Sequence, residues 1–105
     1  VIAVLDMGYS LLEDCGFTRA EAVRATGQLV MRNIENVLEA GCDGALTGPI
    51  ERNDIETVKK HIACMQNDDS DDVRLYKMLG TKLVNIAEKK NPDKDYTQMM
   101  ELLRG

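Results

Sequence analysis

The residues best suited to chemistry stand close together between Thr47 and Cys64. Thr47-Gly48-Pro49 brings free backbone groups and a hydroxyl to the start of a segment whose apolar spacing predicts a helix. At about 100° per residue, Asp54, Thr57, His61 and Cys64 fall on one polar arc of that helix, beside an apolar stripe of Ile55, Val58, Ile62 and Met65. The positive end of such a helix, with Arg52 near it, suits a carboxylate or phosphate on a small substrate. His61 is the single histidine, and its ordinary pKa near neutrality makes it the candidate for moving a proton. The plainer reading is that the polar arc is a solvated helix face and the loop only a connection.

Other chemistries fit less well. His61 and Cys64, at i and i+3, could act as two soft metal ligands, with Cys15 or Cys42 brought in by the fold. One His and three widely spaced Cys fit small buried hydrophobes beside one satisfied His better, so no metal is expected. A Cys and His on one helical turn offer no oxyanion hole, which argues against a nucleophilic site. The glycines at 41, 44 and 48 follow a helix and lack Gly-x-Gly-x-x-Gly spacing, and no Lys-Ser or Lys-Thr follows them. No cofactor is therefore expected to bind this chain by itself.

The elements that must position these groups read as helices. Residues 1–14 carry a broad apolar arc of Val4, Leu5, Met7, Leu11 and Leu12, stopping at Gly16. Thr18 and Glu21 have capping-box spacing, so a second helix starts near Arg19 and runs to Gly41, with a possible break at Gly27. Residues 41–53 form an irregular Gly-rich connection, and Asp54 caps a third helix from Ile55 to Gln66. A polar loop over 67–72 leads to a helix reaching Lys90, with Leu75, Tyr76, Leu79, Leu83 and Ile86 on its buried face. Asn91-Pro92 ends it, and Asp95 caps a short last helix with Met99, Leu102 and Leu103. The expectation is an all-α bundle of five helices, or six if Gly27 breaks the second, in a single domain over 1–105.

Composition narrows the partners. Thirteen basic against 18 acidic residues give a net charge of -5, and no basic track is interleaved with aromatics, so neither nucleic acid nor an anionic membrane is expected. Three cysteines without a CxxC point to a reducing, cytoplasmic setting. The chain opens directly on Val1-Ile2-Ala3-Val4-Leu5 and is read as part of a longer protein. Helix 1 is apolar over more of its circumference than a surface helix needs, which implies cover from a second copy or another domain.

Ala45-Leu46-Thr47-Gly48-Pro49-Ile50-Glu51-Arg52-Asn53-Asp54, followed by Thr57 and His61, resembles the C-terminal domain of a family of bacterial Rossmann-like oxidoreductases of unknown substrate. That family typically reads ALTGPIxRGDxxTVxxH and is related to pyrroline-5-carboxylate reductase, ketopantoate reductase and 6-phosphogluconate dehydrogenase. The Asp14-Cys15-Gly16-Phe17 turn and the stretch Asn33-Ile34-Glu35-Asn36-Val37-Leu38 also look like that domain. Position 53 is Asn where the family has Gly, and Asn is a residue that tolerates a left-handed backbone.

The resemblance implies a fold like the 6-phosphogluconate dehydrogenase C-terminal domain. It also implies a parent protein whose N-terminal Rossmann domain binds NADP or NAD, while this helical domain forms a homodimer and closes the substrate cleft. Carried onto this chain, Thr47, Gly48 and Arg52 become candidates for contact with a small-molecule substrate. Thr57 and His61 would line the cleft or support the loop, with Pro49 shaping the loop and Asp54 capping. The rival reading is a non-enzymatic helical adaptor or regulatory domain, and a third is a free-standing small-ligand binder.

Overall fold

The computed structural model describes residues 1–65 and 71–105, all helix and connection with no strand among them. Five helices follow one another: α1 (Ile2–Asp14), α2 (Arg19–Ala45), α3 (Ile55–Met65), α4 (Asp72–Lys90) and α5 (Thr97–Arg104). The all-α expectation therefore holds. Gln66 and most of the polar loop expected over 67–72 lie outside the described residues. The described residues group into two compact units, Val1–Glu39 and Ala40–Gly105.

In the first unit, α1 ends where Gly16 turns to φ 105°, with Gly16 N–H bonded to the Glu13 carbonyl at 3.0 Å and Phe17 N–H to that of Leu12 at 3.1 Å. This pair of bonds satisfies carbonyls that a helix end otherwise leaves open. The capping box follows at once: Thr18 N–H donates to Glu21 Oε1 at 3.0 Å, and Glu21 N–H to Thr18 Oγ1 at 3.1 Å. Arg19 then pairs with Asp6 at 3.1 Å and Glu13 at 3.0 Å and lies over the Tyr9 ring, tying the start of α2 to α1. Little of this unit is buried. Ala22 is fully enclosed, whereas Val1, Ile2, Val4, Val23, Leu29, Met31, Ile34, Val37 and Leu38 are exposed. The wide apolar face anticipated on the first helix stands open, and apolar residues of α2 are exposed as well.

Two boundaries differ from expectation. Gly27 lies inside continuous helix, and the regular course of α2 is interrupted only at Gly41, where its end was expected, with φ 74° and ψ 176°. Residues 42–45, expected to be irregular, resume helical structure after that break. A glycine inside a helix costs only about 1 kcal/mol relative to Ala, so its presence alone does not locate a kink.

The second unit holds the core. Ile50, Val58, Ile62, Val84, Ala87, Tyr96, Met99 and Leu103 form one buried cluster. On α3, Val58, Ile62 and Met65 are buried as their spacing demands, each contributing about 1.5–3 kcal/mol. On α4 the fully buried residues are Gly80, Val84 and Ala87, while Leu75, Tyr76, Leu79, Leu83 and Ile86 are only half-buried. The reason is the close approach of α5, since a Cβ at Gly80 would sit 2.9 Å from Leu103 Cδ2. Small residues on α4 let the large Met99 and Leu103 of α5 reach the core.

Candidate functional site

The connection from α2 to α3, residues 46–54, folds into a tight turn held by its own backbone. Arg52 N–H donates to the Gly48 carbonyl at 3.0 Å, Asn53 N–H to that of Ile50 at 3.1 Å and Asp54 N–H to that of Pro49 at 2.8 Å. Gly48 sits at φ 108°, a region closed to side chains with a Cβ, and Asn53 at φ 61° takes the left-handed conformation that Asn accommodates. Ile50 points into the core and anchors the turn.

Asp54 serves the start of α3. Its carboxylate accepts from Thr57 N–H at 3.2 Å and from the Thr57 hydroxyl at 2.7 Å. Those bonds hold its carboxyl below the usual range, with Arg52 and Lys60 acting in the same direction. The negative charge that the helix start attracts is thus already supplied by the chain itself. Thr57 is committed to Asp54, while Thr47 and Arg52 are exposed on the turn.

His61 lies one helical turn beyond Thr57 on α3 and faces α4. Its Nδ1 shares a hydrogen bond with the Tyr76 hydroxyl at 3.2 Å, the rings meeting edge to face at 83°. Burial pushes the Tyr76 phenol upward, which keeps it protonated and able to donate. His61 and Cys64 are exposed, and Cys15 and Cys42 are exposed as well, so the cysteines are not the small buried hydrophobes that their spacing suggested. For Cys64 the cause is its place on the face of α3 turned away from Val58, Ile62 and Met65.

A second group, which local spacing does not point out, holds the turn against the end of α4. Lys90 Nζ donates to the Leu46 carbonyl at 2.7 Å and lies 3.8 Å from Glu51 Oε1. Asn91 Nδ2 donates to Glu51 Oε1 at 3.1 Å and to the Tyr96 hydroxyl at 3.0 Å, and Tyr96 donates to the Glu51 carbonyl at 2.6 Å. Asn53 Nδ2 adds a bond to the Asp95 carbonyl at 2.8 Å. The bond from Asn91, supported by the charge of Lys90, holds the Glu51 carboxyl below its ordinary value. Asn53 Oδ1 is buried without a hydrogen-bond partner among the described residues. The one available signal was Tyr96, one of only four aromatic residues, beside the end of a helix.

The result is a braced turn with Thr47 and Arg52 presented outward. Asp54 and Thr57 come together, Arg52 acts on Asp54, and His61 continues the same face of α3. A cleft of about 820 Å³ lies beside α5, lined in part by Glu88, Lys94, Tyr96, Thr97, Glu101 and Arg104, and none of the expected site residues lines it. Among the described residues, no helix is long and apolar enough to cross a membrane.

Residues 1–83 match the family model described as a domain of unknown function (DUF2520). The matched stretch contains the turn, α3 and the His61–Tyr76 pair, while Lys90, Asn91 and Tyr96 fall beyond it. No curated protein and no solved structure matches the chain.

Proposed function

This chain belongs to the DUF2520 family, and from that premise we propose that it is the dimerisation and substrate-cleft domain of an NAD(P)-dependent oxidoreductase. In this reading the dinucleotide and hydride transfer belong to a Rossmann domain elsewhere in the parent protein. The 105 residues contribute the wall that holds a small substrate.

The observation that carries the reading is the braced turn at 46–54. Ile50, Glu51 and Asn53 tie it inward, and Thr47 and Arg52 are left exposed with a hydroxyl and a guanidinium to offer. Fixing the backbone while leaving two polar side chains free is how a binding wall is preorganised. Because Asp54 already answers the start of α3, Arg52 is the group that takes a substrate carboxylate or phosphate. Thr57 holds Asp54 in place, and His61, oriented by its hydrogen bond with the Tyr76 hydroxyl, lines the substrate cleft or supports the turn. The open apolar faces of α1 and α2 support a homodimer, and three cysteines without a CxxC support a cytoplasmic parent protein.

The test is calorimetric titration of the full-length parent with NADPH and NADH, beside the same titration of this chain. Saturable binding to the parent and none to the chain is expected. A parent that binds neither dinucleotide removes the oxidoreductase reading and leaves a helical adaptor built on the same open apolar faces.

A further inference from the structure

Residues 31–44 of α2 include no buried position, although Met31, Ile34, Val37 and Leu38 are apolar, with Leu38 81% exposed. At about 100° per residue these four continue the line of Val23 and Val30 along one side of the helix. Arg24 and Glu35 flank that stripe on the same edge, 11 residues apart, so about 20° separates them around the helix and about 16 Å along it. Among the described residues neither side chain has an ion-pair partner.

The arrangement is self-complementary in one orientation. When two copies of a helix meet antiparallel about a twofold axis, the same edge of each faces the other, and residues equally far on either side of the axis come opposite. The midpoint of positions 24 and 35 lies between Leu29 and Val30. A twofold axis there sets Arg24 of each copy against Glu35 of the other while the two apolar stripes close together. A parallel pairing would turn that edge toward Thr26 and Asn33 of the other copy and leave both charges unpaired.

We infer that α2 is the dimer interface, paired antiparallel with α2 of a second copy of this chain in the register that joins Arg24 to Glu35 twice. The inference rests on the dimer reading given above and adds its element, orientation and register.

Light scattering and sedimentation on the 105-residue chain, with Arg24→Glu, Glu35→Arg and the double variant, test it. The chain is expected at twice 11.7 kDa. Each single swap places like charges together at two symmetric points and should raise the dimer Kd about tenfold or more, while the double swap restores it. In a background with Cys15, Cys42 and Cys64 changed to Ser, Val30→Cys should cross-link to its own copy on mild oxidation. Ala25→Cys, on the far side of α2, should not. A dimer indifferent to the single swaps, or one that the double swap does not restore, overturns the register and leaves the dimer standing. A chain that stays monomeric at every concentration overturns both.

Discussion

The phenol of Tyr96 donates a 2.6 Å hydrogen bond to the backbone carbonyl of Glu51, joining the start of α5 to the turn before α3 across 45 positions of sequence. Tyr96 is 3% exposed, so the bond is shielded from water. Removing its hydroxyl in Tyr96→Phe takes one donor from that carbonyl and the acceptor from Asn91. The variant should lose about 1–2 kcal/mol in urea unfolding with its helix content unchanged.

Gly48→Ala isolates a backbone cost. A Cβ there meets nothing within 4 Å, so packing is not disturbed, yet φ 108° is a conformation that alanine resists. A loss of about 1–3 kcal/mol is expected in thermal or urea unfolding. Stability equal to that of the natural chain would show that the turn relaxes easily and is not preorganised.

Acid should weaken the fold in a defined direction. Asp54, held low by its bonds from Thr57, and Glu51, held low by the bond from Asn91, both have folded pKa values below the ordinary ones. Groups of that kind contribute stability that is fully present above the unfolded value, near 4, and is lost as pH falls through the folded value. Urea midpoints should therefore be nearly constant above about pH 5 and fall below about pH 4, and Asp54→Asn should make that fall shallower.

Leu103→Ala tests why α4 buries small residues. Leu103 is fully enclosed and its methyl groups lie 2.9 and 3.1 Å from where a Cβ at Gly80 would be. Truncation should cost about 2–5 kcal/mol by leaving a cavity between α4 and α5. A loss below about 1 kcal/mol would mean that α5 collapses onto α4 and does not define the core.

Much of this structure was legible in local spacing. Thr18 and Glu21 mark the start of α2, Asp54 the start of α3 and Asn91-Pro92 the end of α4, because each acts within a turn or two of its own position. The alternation of Val58, Ile62 and Met65 likewise identifies the buried face of α3. What escaped depends on distant partners. The burial of Gly80, Val84 and Ala87 in place of larger neighbours follows from where α5 lies. Lys90, Asn91 and Tyr96 meet Leu46 and Glu51 from some 40 residues away, so the bracing of the turn has no local signature.

The role proposed for Arg52, as the substrate-facing charge of the turn in a dinucleotide-dependent parent protein, is tested most directly by steady-state kinetics of that protein carrying Arg52→Ala, with substrate and dinucleotide varied separately. Loss of a charge-assisted bond should raise KM for the substrate about tenfold to a hundredfold while dinucleotide affinity stays unchanged. Unaltered substrate KM and kcat in that variant would contradict the account and return the turn to a purely structural role.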